Sequence, residues 1–278
     1  MVKDPKLLQA LKTIRKIHGE DSVVFLGDSL NKFTINRWSS GFIDFDNMIG
    51  GGLPCSKIIE LWGANQSGKT SFALHLASIV EMSAFIDAEG TLDEDWAKKL
   101  GVKEGTMIIN QPNNAEEAGR IILNFVKAEI PLIIVDSVPA LIPQMQVEND
   151  ISKDSISPVP RYLSKLFQRL MPIMTKSKTT VIFINQVRDH IGIIFGEPLI
   201  TPGGHALKHY SSLRIEVRRR SWIGTKDNRI GQIVAFRANK SKISKPYLTC
   251  EIPLLFDKGF VEFKELKRIL RKMKVGSA

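Results

Sequence analysis

The stretch Ile58-Ile59-Glu60-Leu61-Trp62-Gly63-Ala64-Asn65-Gln66-Ser67-Gly68-Lys69-Thr70 decides the fold. A run of β-branched and aromatic residues meets a turn of pattern G-x-x-x-x-G-K-T, and a helical pattern follows over residues 69–81. Strand, glycine-rich turn and helix in that order make a P-loop. Its glycines let backbone N–H groups converge on phosphate oxygens, and the helix N-terminus adds positive potential. Lys69 is expected to reach the β- and γ-phosphates and Thr70 to ligate Mg²⁺. Gly63, Ala64, Asn65, Gln66, Ser67, Gly68, Lys69 and Thr70 together form the expected ATP site.

Working outward, further strand-like runs at 83–87, 132–136, 180–185 and 213–217 alternate with helical patterns at 94–100, 115–128 and 161–175. Buried apolar strands separated by helices build a parallel sheet covered on both faces. The fold class is therefore a doubly wound, mostly parallel α/β core. Ligands in such sheets gather at the carboxyl ends of the strands. At those ends stand Asp136, which suits the Mg²⁺-side carboxylate of P-loop enzymes, and Glu89, which could orient and deprotonate the attacking water. An N-terminal helix is predicted over 5–18 and a C-terminal one over 262–274, with Leu266, Ile269, Leu270 and Met273 as its apolar stripe. The Ser-, Pro- and Gly-rich stretches 152–160 and 189–204 read as loops of the length that usually carries function.

With 278 residues, 43% of them hydrophobic, the chain can bury one large core. No apolar run approaches the roughly 18 residues of a membrane span, and Met1-Val2-Lys3-Asp4-Pro5 lacks the apolar centre of a signal peptide. A soluble, cytoplasmic chain without a membrane partner is expected. Cys55 and Cys250 form neither a metal-ligand pattern nor a disulfide framework. The net charge of +10 is concentrated at the end: residues 205–278 hold 18 Lys+Arg against 6 Asp+Glu. Such asymmetry suits a polyanionic partner or, equally, a solvated basic surface.

Six motifs occur together: Gly50-Gly51-Gly52-Leu53-Pro54, the P-loop, Ala84-Phe85-Ile86-Asp87-Ala88-Glu89-Gly90, Val135-Asp136-Ser137-Val138, Phe183-Ile184-Asn185-Gln186-Val187-Arg188 and Gly203-Gly204-His205-Ala206-Leu207-Lys208. Jointly they resemble the bacterial RecA recombinase family, almost without gaps from about residue 11 to 263. The resemblance implies an ATP-dependent DNA strand-exchange recombinase that forms helical filaments on single-stranded DNA, pairs it with duplex DNA and hydrolyses ATP between subunits. By the same resemblance Glu89 is the water-activating base, Asp136 with Thr70 the Mg²⁺ site, and Gln186 the γ-phosphate sensor. Asp93 and Trp96 stand where the family contacts ribose or adenine. Lys240 and Lys242 would complete the neighbouring subunit's site, and their i, i+2 spacing turns both toward one face of an extended segment. DNA-binding loops fall near 148–157 and 187–202. There Ile156 and Ile191 would wedge between bases, while Arg161, Arg188, Gly203, Gly204 and His205 would hold phosphates.

The implied organisation is an N-terminal helical oligomerisation segment at 1–30, the ATPase core at 31–262 and a basic helix at 263–278. Family members continue into a C-terminal domain, whereas this sequence ends at Ala278, so duplex capture is expected to differ and the basic end to substitute electrostatically. Asn149 replaces a family Gly, Ser157-Pro158-Val159-Pro160 stiffens the first loop, and His209 replaces an interface aromatic. A phage or mobile element is one source of so short a core. Two alternatives share part of the pattern. One is a hexameric RecA-like helicase or translocase motor; the other is a non-hydrolysing recombination mediator, against which Lys69, Thr70, Glu89 and Asp136 all argue. Single-strand-binding or loader proteins are left open as further partners.

Overall fold

The computed structural model describes residues 4–25, 34–148, 159–189 and 199–275. The chain divides into two units, Met1–Asn36 and Arg37–Ala278. The first carries helix α1 (Pro5–His18). Asp4 caps it by accepting from the Lys6 N–H at 2.9 Å, and Gly19 closes it with an N–H to the Arg15 carbonyl at 2.8 Å. A side-chain oxygen at the start and a glycine at the end satisfy groups that the helix itself leaves unpaired.

In chain order the second unit runs β1 (Arg37–Trp38), α2 (Ile43–Met48), β2 (Leu53–Pro54), β3 (Ile58–Gly63), α3 (Lys69–Ser78), β4 (Ser83–Asp87), α4 (Glu94–Lys99), β5 (Met107–Asn110), α5 (Ala115–Lys127) and β6 (Leu132–Asp136). It continues through α6 (Gln144–Glu148), α7 (Val159–Met174), β7 (Thr180–Gln186), β8 (Arg188–Asp189), β9 (Leu199–Ile200) and α8 (Gly204–Tyr210). The last elements are β10 (Leu213–Gly224), β11 (Arg229–Ser241), β12 (Thr249–Leu255), β13 (Gly259–Phe260) and α9 (Phe263–Val275). One nine-stranded sheet has the order β13-β12-β11-β10-β3-β7-β6-β4-β5. Neighbours are parallel from β10 across to β5 and antiparallel from β10 to β13.

Every residue of β3, β4 and β6 is buried, because each strand meets a core on both faces. Ile59, Leu61, Phe85 and Ile134 join Phe72 of α3 on one side. Ile58, Ala84, Ile133 and Phe183 join Leu163 and Phe167 of α7 on the other. Successive residues of a strand alternate faces, so an unbroken apolar run serves two helical layers. Phe45, Phe72 and Phe236 pack with ring centroids 4.5 to 5.3 Å apart, each ring contributing on the order of 1.5–3 kcal/mol by burial.

The structure corrects the sequence reading in several places. The strand predicted at 213–217 continues to Gly224 and turns back as β11, with irregular register near Arg219 and Gly224. Strands β5, β11, β12 and β13 were not predicted. In β11 the exposed Arg229 and Arg237 and the half-buried Lys240 interrupt the apolar run that betrays a parallel strand. The stretch read as a loop from 189 is bounded by a short antiparallel ladder, with Arg188 opposite Ile200 and Asp189 opposite Leu199. Helix α3 ends at Ser78 rather than at 81. Most of the two expected DNA loops, including Ile156 and Ile191, lies outside the described residues.

Candidate nucleotide site

Strand β3 delivers the P-loop directly onto the start of α3. A Cβ on Gly63 would lie 2.1 Å from the Val217 carbonyl oxygen, so only glycine lets the turn pass this close to β10. Gly68 precedes α3 with φ 100°, a left-handed conformation that glycine adopts without strain. Lys69 is buried, and its ammonium donates to the carbonyls of Gly63 at 3.1 Å and Ala64 at 2.8 Å. Burial lowers its pKa, opposed by the negative charges of Asp136 and Glu89. The Ser67 hydroxyl is buried and has no hydrogen-bond partner among the described residues. An orphan donor beside a buried ammonium, in a turn tolerating only glycine at Gly63, suits a phosphate group.

Asp136 ends β6 opposite Asp87 at the end of β4. The Thr70 hydroxyl donates to Asp136 Oδ2 at 2.6 Å, so the two expected metal ligands already touch. Burial pushes the Asp136 carboxyl up to about 6; Glu89 and Asp87 add to the rise, while the Thr70 hydrogen bond and Lys69 oppose it. A hydroxyl and a carboxylate held together this way are a hard oxygen donor set of the kind Mg²⁺ takes.

Glu89 follows β4 on a turn that Asp87 pins by accepting from the N–H groups of Thr91 at 3.1 Å and Leu92 at 3.2 Å. Gln111 donates to the same carboxylate at 3.0 Å. Glu89 Oε1 in turn accepts from the Ser137 hydroxyl and from Gln186 Nε2, the latter at 2.9 Å. Lys69, Thr70, Asp136, Glu89 and Gln186, scattered over four separate segments, therefore gather at the carboxyl ends of β3, β4, β6 and β7. Sequence reading missed Ser137 and Asp87 as supports. Both lie inside the motifs it quoted, but nothing in the local pattern signals that Ser137 bonds Glu89 or that Asp87 pins the turn that follows it.

The remaining expected residues fall elsewhere. Asp93 caps α4 by accepting from the Trp96 N–H at 3.0 Å, and the Trp96 indole N–H donates to Ser71 of α3 at 3.2 Å. Lys240 and Lys242 do turn to one face, where both ammonium groups donate to carbonyls at the end of α8. Lys240 reaches those of Lys208 and His209, and Lys242 that of His209 at 2.7 Å. No hydrogen bond joins them to the Lys69–Gln186 group among the described residues. Burial lowers the pKa of Lys240, with Lys242 and Arg214 adding to the effect. Arg161 and His205 are exposed, Gly203 and Gly204 lead into α8, and Arg188 lies in β8.

The family model for the RecA N-terminal domain matches residues 5–261. The chain belongs to the RecA family. Protein RecA of Mesoplasma florum is 41% identical over 272 residues, which span 95% of this chain and 81% of that protein. Protein RecA of Mycoplasma mycoides subsp. mycoides SC is 40% identical over 271 residues, 95% of this chain and 78% of the relative. Protein RecA of Rhodopirellula baltica is 38% identical over 263 residues, 92% and 70% of the two chains. RecA membership brings the family's activity with it, DNA recombination and repair driven by DNA-dependent ATP hydrolysis. Nucleotide binding, DNA binding and self-assembly into filaments belong to the same family character. No helix among the described residues is long and apolar enough to cross a membrane.

Proposed function

We propose that this RecA-family chain exchanges DNA strands within a helical filament on single-stranded DNA, and that each ATP is hydrolysed between two protomers. The observation that supports this best is the contact of Gln186 Nε2 with Glu89 Oε1 at 2.9 Å. It joins the candidate base to the last residue of β7, immediately before the candidate DNA segment 187–202. A residue that senses whether a γ-phosphate stands beside Glu89 can thereby bias the order of that segment.

In this reading Lys69 leaves the carbonyls of Gly63 and Ala64 for the β- and γ-phosphates, and the N–H groups from Ala64 to Thr70 hold the remaining oxygens. Glu89 orients the attacking water and takes its proton. Mg²⁺, which Thr70 and Asp136 would hold, supplies charge neutralisation at the phosphates. Asp93 and Trp96 flank the nucleoside. Lys240 and Lys242 exchange the carbonyls of α8 for the γ-phosphate of an adjacent protomer's ATP, doing what an arginine finger does elsewhere. Residues 1–30 serve assembly, 31–262 form the ATPase core, and the basic helix from 263 assists duplex capture. Arg161, Arg188, His205 and the N–H groups near Gly203 and Gly204 contact phosphates, and Ile156 and Ile191 separate bases, which makes binding sequence-neutral and salt-sensitive.

ATP turnover with and without single-stranded DNA, joined to electron-microscopic imaging of the assemblies, tests the proposal. Helical filaments with DNA-stimulated turnover are expected. Closed rings would instead indicate a hexameric motor, and binding of DNA without turnover a mediator.

A further inference from the structure

Glu60 lies on β3 at the centre of the sheet, paired in register with Arg214 of β10 on one side and Phe183 of β7 on the other. Its side chain is 0% exposed, yet it carries a carboxylate, and among the described residues its hydrogen bonds go to Asn185 and Arg214 rather than to the Lys69–Gln186 group. Glu60 Oε1 accepts from Asn185 Nδ2 at 2.9 Å, and Oε2 is ion-paired with Arg214 Nε. Both partners reach further. Asn185 Nδ2 also donates to the Pro202 carbonyl at 2.9 Å, while Asn185 Oδ1 accepts the backbone N–H of Gln186 at 3.0 Å. Arg214 Nη2 donates to Thr201 Oγ1 at 3.4 Å, its guanidinium 5.4 Å from the centre of the Trp62 ring. In the β10–β11 ladder Arg214 is moreover the register partner of Lys240.

One buried carboxylate thus ties together the end of β7, where Gln186 stands, and Thr201 and Pro202, where the chain returns from β9. Stability does not explain such a choice, since a well-packed apolar set of similar volume usually serves a core as well as a buried ion pair. What the pair adds is fixed orientation: two directional bonds on each partner allow one arrangement of these three strands.

We propose that Glu60 and Arg214 are positioning residues that couple nucleotide to DNA, by holding the Gln186 end and the Thr201–Pro202 end of the candidate DNA segment in one register. The inference rests on the reading of Gln186 as the γ-phosphate sensor. Binding energy gained at Gln186 reaches both ends of the segment through Asn185 and Arg214, because a shift of Asn185 with Gln186 strains its bond to Glu60 together with its bond to Pro202, while Arg214, held by Glu60, keeps its bond to Thr201.

The test measures affinity of the full-length chain for fluorescent oligo(dT), with and without a slowly hydrolysed ATP analogue, in wild type and Glu60→Gln. The amide can still accept from Asn185 but loses the ionic bond to Arg214. The gain in oligo(dT) affinity conferred by nucleotide is expected to fall at least about tenfold, while affinities for oligo(dT) alone and for nucleotide alone change less than about threefold. Where Glu60→Gln fails to fold, Asn185→Ala carries the same expectation, since it severs the Pro202 contact and leaves the Glu60–Arg214 pair intact. Parallel loss of all three affinities is what simple destabilisation produces and would overturn the proposal, as would a variant that keeps the full nucleotide-dependent gain. A wild-type chain without any such gain overturns the reading of Gln186 and this inference together.

Discussion

Replacing Glu89 by Gln isolates the proton-accepting role of this side chain, because the structure leaves the rest of its work to an atom that both residues possess. Glu89 Oε1 accepts from Ser137 and from Gln186, and the amide oxygen of a glutamine accepts from both as well. The side chain should keep its place. What disappears is a base within reach of water, a contribution of roughly 10²–10⁴ in rate. At about 1.36 kcal/mol per decade this amounts to about 2.7–5.5 kcal/mol of transition-state stabilisation. Binding should move the other way. The Glu89 charge adds to the rise of the Asp136 carboxyl and so repels a triphosphate too; its removal leaves nucleotide affinity unchanged or tighter. Phosphate release at saturating Mg-ATP and single-stranded DNA, combined with titration of a fluorescent nucleotide, separates the two effects. Turnover within about threefold of wild type, with binding intact, would refute the assignment of Glu89 as base. A loss carried wholly by nucleotide affinity would make it a binding residue.

Other expectations follow from the same geometry. If each site takes Glu89 from one protomer and Lys240 from the next, Glu89→Gln and Lys240→Ala are each nearly inactive alone. Their equimolar mixture should then recover about a quarter of wild-type turnover, the share of interfaces with both groups intact; no recovery would return Lys240 to its own chain. Asp136→Asn should abolish Mg²⁺-dependent hydrolysis yet stabilise the nucleotide-free fold at pH 8, by at most about 3 kcal/mol, because the folded carboxyl is raised from 3.8 to about 6. The raised value penalises only the ionised form, fully above about pH 6 and not at all below 3.8, so the gain seen in urea denaturation should vanish on acidification. A Cβ at Gly119 would sit 2.0 Å from the Tyr162 hydroxyl oxygen. Gly119→Ala should accordingly cost about 1–3 kcal/mol, and adding Tyr162→Phe should recover part of it in thermal denaturation; equal melting temperatures for the single and double variants would refute that cause.

Much of the sheet was legible because β3, β4, β6 and β7 are buried on both faces, and two-sided burial demands unbroken apolar runs. The ends of these strands were legible for the complementary reason. Polar residues such as Asp136 and Gln186, placed directly after such runs, must emerge at one edge of a parallel sheet. Strands β11 and β12 escaped notice because antiparallel strands at the side of a sheet tolerate charge on one face, and Arg237 or Glu251 then resembles a solvated loop. Lys240 and Lys242 show how far spacing reaches. Their common face follows from period-two geometry in an extended segment, whereas the carbonyls of α8 that they meet come from residues more than thirty positions earlier in the chain.

The sequence by itself determined the P-loop, the alternation of β3, β4, β6 and β7 with helices and the residue types at the ends of those strands, because backbone periodicity and glycine chemistry are local. Only the tertiary structure decided that Glu89 braces against Ser137 and Gln186, that Thr70 already holds Asp136, and that Glu60 joins Asn185 to Arg214. Those pairings depend on which strands lie side by side. Strand order is set by packing across the whole core, and no short stretch of the chain encodes it.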